Sequence, residues 1–111
     1  MSVVALTRDL GDRSRIAAAV PEAVFVHASA LLPAAATGAE VVLVDLTSAG
    51  ALDVLGAVVA VAGRVVGFGP HVDAELLAAA LATGAEAVPR SRFFRDIESF
   101  AEGSCRDAKH S

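Results

Sequence analysis

Five short apolar runs alternate along the chain with five segments that have helical spacing. The runs lie at 2–6, 23–27, 41–44, 65–68 and 86–88, and short links join each of them to the next helical segment. Such alternation is typical of a parallel sheet that carries helices on both faces and has right-handed crossovers. The pattern therefore predicts a single α/β domain with a doubly wound, five-stranded parallel sheet.

The run at 41–44 marks the centre of the predicted sheet. Its four consecutive apolar residues suit a parallel strand that is covered on both faces. Pro89 follows the last run, and proline suits an edge position or a strand end because it cannot donate a ladder hydrogen bond. We therefore expect the strand order 2-1-3-4-5 within a three-layer sandwich.

Polar residues before the helical segments predict where helices begin. Asp12 is expected to cap a helix over 13–20, Thr47 or Ser48 to cap the third helix, and Asp73 to cap the fourth. The inward residues expected on the fourth helix are Leu76, Leu77, Ala80 and Leu81. The glycines at 67 and 69 and the following proline are expected to form a tight turn after the fourth strand.

Composition limits the size and the class of the protein. The chain has 111 residues, of which 55% are hydrophobic and 20% charged, so it is long enough for one packed domain. We expect a domain over 1–101 and a disordered polar tail over 102–111. The lone Cys105 cannot form an internal disulfide, and a cytoplasmic location is the simplest expectation.

Charge and hydropathy argue against two classes of partner. The net charge is −4 and the chain has no Trp or Tyr, so neither attraction to a phosphate backbone nor a base-stacking surface is expected. The longest apolar run covers about ten residues, at 54–63, whereas a membrane-spanning helix needs about 20. We expect no nucleic-acid partner and no membrane span.

Two segments carry a resemblance to response-regulator receiver domains, and the match extends over residues 3 to about 100. VVLVDL at 41–46 resembles the receiver strand that ends in the phosphoacceptor, which makes Asp45 the residue at that position. GAEAV at 84–88 resembles the segment before the last receiver strand. The resemblance implies a flavodoxin-like fold. It also implies an acidic pair after the first strand for Mg²⁺, and a Ser or Thr and a Lys that contact the phosphoryl group.

The chain departs from the receiver pattern at each helper position. Thr7 and Arg8 stand where the acidic pair is expected, with Asp9 one position later; Gly69 stands near the Ser/Thr position and Arg90 near the Lys position. Mg²⁺ prefers carboxylate oxygens, and the Arg8 charge would oppose it. We therefore predict that the phosphoacceptor position is inactive. Segments at 9–16, 67–73 and 89–93 are similar to pseudo-receiver proteins, a loose group without one defined function.

The favoured hypothesis is a noncatalytic module that binds a protein partner or itself through the fourth helix, fifth strand and fifth helix. Phe93, Ile97 and Phe100 share one face of a helix that is expected to begin at Ser91, and Phe94 falls about 100° away. Phe94 is therefore expected to be partly exposed, and Phe93, Phe94 and Arg95 are the candidate interface. The alternative is that all three phenylalanines are buried.

The rival hypothesis is a small-anion or nucleotide binder, or an enzyme that acts on such a ligand, at the strand ends. Its candidate residues surround Asp45 and are Arg8, His71, Arg90 and Arg92. In the competing interpretation Arg90 and Arg92 pair with Asp9 and Asp45. His27, His71 and Cys105 lack the spacing of metal ligands, and no phosphate loop or dinucleotide fingerprint is present, so neither metal nor cofactor is expected.

Overall fold

Five parallel strands form one sheet in the computed structural model, which describes residues 2–102. The strands are β1 (Val3–Leu6), β2 (Val24–Val26), β3 (Val41–Asp45), β4 (Arg64–Gly69) and β5 (Glu86–Pro89). Their order is β2-β1-β3-β4-β5, which confirms the predicted order and the flavodoxin-like, receiver-like α/β architecture. All the pairings between neighbouring strands are parallel.

Helices cover both faces of this sheet. They are α1 (Leu10–Ala19), α2 (Leu32–Ala36), α3 (Ala51–Val61), α4 (Ala74–Ala82), α5 (Arg90–Arg95) and α6 (Ile97–Phe100), and a short 3-10 turn (Ser29–Leu31) precedes α2. Successive residues of a strand point to opposite faces. Val42 and Val44 accordingly pack with α2, α3 and α4, whereas Val41 and Leu43 pack with α1, α5 and α6.

The carboxyl ends of the strands meet along one side of the sheet, which we term the carboxyl edge. Leu6 pairs with Val44, and Asp45 pairs with Phe68. Because the register is continuous across the sheet, the loops that follow β1, β2, β3 and β4 and the start of α5, directly after β5, all lie at this edge. Two of the predicted turn residues, Gly67 and Gly69, lie within β4 itself, so the turn begins one step later than expected.

Two of the three predicted helix caps are wrong. Asp9, and not Asp12, caps α1: its carboxylate accepts a hydrogen bond from the Asp12 backbone N–H at 3.0 Å. The third helix follows Gly50, a residue with a left-handed backbone (φ 79°), and no side chain caps it. Asp73 does cap α4, since its carboxylate accepts from the Leu76 N–H at 3.1 Å.

The exposure predicted for Phe94 is also wrong. It is only 9% exposed and packs edge-on against Phe68 and Phe93, at centroid distances of 5.5 and 4.9 Å. The Arg15 guanidinium covers its ring at 4.0 Å. A single helix is not formed here either, because the backbone at Asp96 leaves helical geometry and divides α5 from α6.

The inward position predicted for Leu81 on α4 is wrong as well, because this side chain is 55% exposed.

The polar tail was predicted over 102–111, and residues 103–111 lie outside the described residues. The carbonyl of Glu102 accepts a hydrogen bond from Arg64 at 2.9 Å. Among residues 2–102, no helix has both the length and the apolar character needed to cross a membrane.

Candidate functional site at the carboxyl edge

A cavity of about 340 Å³ lies at the carboxyl edge. It is formed by the loops that follow β1 and β3 and by the starts of α1 and α5. Its lining residues are Arg8, Asp9, Asp12, Asp45, Thr47, Ser48 and Arg90. In a doubly wound sheet this edge is where ligands bind, so the cavity is the first place to look for chemistry.

Asp45 ends β3 at the position predicted for a phosphoacceptor. The residue is only 6% exposed. Its Oδ1 accepts two hydrogen bonds from Thr47, one from the backbone N–H at 3.0 Å and one from the hydroxyl at 2.6 Å. Aspartate commonly stabilises a turn in this way. One carboxylate oxygen is therefore engaged by its own loop.

Arg90 stands at the position near the receiver lysine and is bound to Asp12. Its Nη1 donates to Asp12 Oδ2 at 2.7 Å, and its Nη2 donates to Oδ1, which makes the pair bidentate. The Asp12 side chain is 4% exposed. The hydrogen bonds from Arg90 to Asp12 raise the pKa of the Arg90 guanidinium, and the charges of Asp45 and Asp9 raise it further. Arg90 therefore remains protonated at any ordinary pH.

The expected pairing of Arg90 with Asp9 or Asp45 is consequently wrong. With Asp9 as its cap, α1 begins earlier than predicted, and Asp12 falls within the first turn of the helix. The Asp12 carboxylate is buried there beside the start of α5. Sequence reasoning missed Asp12 because an aspartate before an apolar stripe has the appearance of a cap. Asp9 three residues earlier was the signal that could have corrected it, since a cap accepts from the third residue of the helix.

Arg8, one of the four candidate anion-binding residues, is exposed at this edge. It lines the 340 Å³ cavity and also a neighbouring cavity of about 260 Å³. Across residues 2–102 no ion pair or hydrogen bond engages its side chain. The other lining residues of the neighbouring cavity are Leu6, His27, Ala28, Ser29, Ser48 and Ala49.

The remaining two candidates lie away from these cavities. His71 is exposed in the turn between β4 and α4 and lines neither of them. Arg92 lines a different cavity, of about 800 Å³, together with Arg64 and Glu86. Its guanidinium lies 5.8 Å from the centre of the Phe100 ring. The four candidate anion-binding residues are therefore not assembled into one site.

The acidic residues of the carboxyl edge do not form a metal centre. In the part of the chain that the structure describes, no group of three or more His, Cys, Asp or Glu side chains is placed so that it could hold a metal ion. Two arginines, Arg8 and Arg90, and three aspartates, Asp9, Asp12 and Asp45, line the 340 Å³ cavity, so groups of both charges face it.

Comparison with known proteins supports the fold. No protein-family model and no curated protein matches this sequence. A crystal structure from Sinorhizobium meliloti, assigned as a CpaE2 pilus assembly protein, has the same fold with a TM-score of 0.60. The two chains are 14% identical, and the match covers 87% of this chain and 97% of the other. At this identity the likeness is one of architecture.

Proposed function

We propose that this chain is a pseudo-receiver: a receiver-like domain that acts without phosphotransfer, as an interaction or regulatory module. The observation that carries the proposal is the bidentate pair between Arg90 and Asp12. A receiver needs the cation after its last strand to contact a phosphoryl group on the phosphoacceptor. Here that cation is bound to a buried carboxylate on α1 instead.

Two further features support loss of phosphotransfer. Arg8 brings a positive charge to the edge where a receiver binds its Mg²⁺, and a cation disfavours a second cation nearby. Gly69 ends β4 with no hydroxyl to contact a phosphoryl oxygen. Asp45 therefore stands at the position of a phosphoacceptor, but the residues around it are not those that bind Mg²⁺ or a phosphoryl group in a receiver.

The proposal predicts that Asp45 forms no stable aspartyl phosphate. The full chain would be incubated with acetyl phosphate and Mg²⁺ and its intact mass measured, with an active receiver treated in parallel as the positive control. The expected result is an unchanged mass. A Mg²⁺-dependent gain of one phosphoryl group that disappears in Asp45→Asn would contradict the proposal.

The surface that we propose for interaction is α4. Only Ala80 of this nine-residue helix is buried, although all of its residues but Glu75 are apolar. Leu81 is 55% exposed, and Val72, in the turn before the helix, is 79% exposed. Incompletely buried apolar surface of this kind marks a contact site. Since receivers pair through this region, a second copy of the chain is the proposed partner.

An interaction role also agrees with the structural neighbour, which is described as a pilus assembly protein. The proposal assigns the chain no reaction chemistry of its own. It places the protein in the cytoplasm, where a lone cysteine stays reduced.

A further inference from the structure

We propose that the loops after β1, β2 and β3 form a binding site for a phosphate group, centred on Arg8, His27 and Ser48. The three residues line the cavity of about 260 Å³ at the carboxyl edge. This inference goes beyond the proposed function, because it requires neither phosphotransfer at Asp45 nor a protein partner. It also differs from the anion site expected from the sequence, which included neither His27 nor Ser48.

The charges around this cavity favour an anion. Its lining contains the Arg8 guanidinium, the His27 imidazole and two serine hydroxyls, but no carboxylate. The adjoining 340 Å³ cavity differs, because three aspartates line it and Arg90 is already bound to one of them. Arg8 lines both cavities, so an anion beside it is repelled by the aspartates of the 340 Å³ cavity and meets no carboxylate in the 260 Å³ cavity.

Ser48 supplies an independent indication of a ligand. The residue is 6% exposed, and its Oγ is buried without a hydrogen-bond partner among the described residues. A buried hydroxyl in that state is unfavourable, and native structures rarely leave one unpaired. The Oγ of Ser29, by contrast, already donates to the Ala49 carbonyl at 2.7 Å. A phosphate oxygen in the cavity would accept the proton that Ser48 has to donate.

The backbone beside the cavity adds to the attraction. Ala49 lines the cavity, and α3 begins two residues later, after Gly50. Gly50 offers no side-chain acceptor to this eleven-residue helix, although the Ala51 N–H donates to the Ser48 carbonyl at 3.0 Å and Asp53 places a carboxylate in the first turn. The remaining N–H groups of that turn carry a partial positive charge. The strand order reverses between β1 and β3, and the diverging loops at such a switch point are where doubly wound sheets bind ligands.

The size of the cavity restricts what is bound. Pockets for drug-sized ligands are about 300–1,000 Å³, so 260 Å³ suits one phosphate group and does not enclose a nucleotide. The shared chemistry is a phosphate dianion, either free or at the end of a larger molecule that projects into solvent.

The test is a titration of the full-length, ¹⁵N-labelled chain with inorganic phosphate, starting from phosphate-free buffer. We expect saturable shifts in the backbone amide signals of Arg8, His27 and residues 48–51. Arg8→Gln should weaken binding about tenfold, since it removes a charge-assisted hydrogen bond from an exposed position. Arg95→Gln, which removes an exposed cation on α5, should leave the affinity unchanged.

Ser48→Ala separates a binding role from a structural one. It should also weaken phosphate binding about tenfold. Without phosphate it should unfold at a higher temperature than wild type, since the unpaired hydroxyl is gone. A phosphate monoester that binds more tightly than inorganic phosphate would identify the ligand as a larger molecule, and equal affinities would identify free phosphate. Absence of saturable shifts at millimolar phosphate, shifts centred elsewhere, or full affinity in Arg8→Gln would overturn the proposal.

Discussion

Arg64 shows how one buried cation can join distant parts of a small domain. It begins β4, and its side chain is 8% exposed. Its Nε and Nη2 donate to the Glu86 carboxylate at 2.6 and 2.9 Å, and its Nη1 donates to the carbonyls of Ser99 and Glu102 at 3.0 and 2.9 Å. These bonds tie α6 and the residues that follow it to the first residues of β4 and β5.

Replacing Arg64 by alanine should therefore lower the free energy of unfolding by about 2–3 kcal/mol, since four part-buried hydrogen bonds from a charged group are lost. Urea denaturation measures this difference. Arg95→Ala is the matched control, because its side chain is 70% exposed and its contact with Asp96 spans 3.5 Å. It should change the stability by no more than about 0.5 kcal/mol. Equal effects of the two substitutions would show that the Arg64 contacts contribute little.

The position of Asp45 at the end of a strand was predictable from the sequence, but the contacts of the charged residues around it were not. A strand of apolar residues that ends in an aspartate is a local pattern. The pair between Asp12 and Arg90 joins residues 78 positions apart, and it depends on how α1 packs beside α5. A shift of one helical turn at the start of α1 decides whether Asp12 is a cap or a buried partner.

At the scale of the elements, the junction of α3 with β4 requires Gly63 because no side chain fits there, and not because the backbone needs a conformation that only glycine adopts. A Cβ built on Gly63 would lie 2.8 Å from the carbonyl oxygen of Glu40. The Gly63 N–H also donates to the Ala39 carbonyl at 2.9 Å, so the two chain segments are already in contact. Because the obstacle is backbone, a rotamer change cannot relieve it.

Gly63→Ala should consequently destabilise the protein by about 1–3 kcal/mol, the cost of overpacking a close contact. Gly56→Ala offers the opposite case within α3. Nothing lies within 4 Å of a Cβ at that position, and alanine is the better helix former by about 0.5–1 kcal/mol. Thermal unfolding should show a lower midpoint for the first variant and a higher one for the second. A raised midpoint for Gly63→Ala would mean that the junction relaxes freely.

Helix boundaries were less predictable than strands, for a physical reason. The spacing of Phe93, Ile97 and Phe100 fits one helical face, but spacing alone cannot show that the backbone turns at Asp96. The Phe93 ring stacks on Phe68 at 4.2 Å and on Phe100, across that break, at 5.9 Å. The stack on Phe68 is a long-range contact, which local spacing does not reveal.

For the whole molecule, the alternation of runs was sufficient to predict the sheet and its order. Parallel strands need crossover helices, and right-handed crossovers leave few arrangements. Which helix surface remains uncovered depends on packing between helices, and that is why Leu81 and Phe94 were assigned to the wrong environments. The exposed surface lies on α4 and not on the phenylalanines of α5.

Self-association through α4 is the corresponding prediction for the molecule. Size-exclusion chromatography with light scattering should show an average mass that rises with protein concentration. Leu81→Asp should abolish the rise, since burying one leucine contributes about 1.5–3 kcal/mol and a carboxylate opposes it. Leu10→Asp is the matched control: Leu10 is 77% exposed at the start of α1, on the other face of the sheet, and the rise should persist. A wild-type chain that stays monomeric throughout would remove α4 as the contact surface.

The contacts of Ser2 and Arg64 have a practical consequence for how this domain can be attached to something else. Ser2 exchanges hydrogen bonds with Glu40 just before β3, and Arg64 holds the carbonyl of Glu102 at the start of β4. Both ends of the described chain therefore emerge on the side of the sheet opposite Asp45 and Ser48. A dye or tether attached at Ser2 or Glu102 would therefore lie at the edge of the sheet opposite the two cavities.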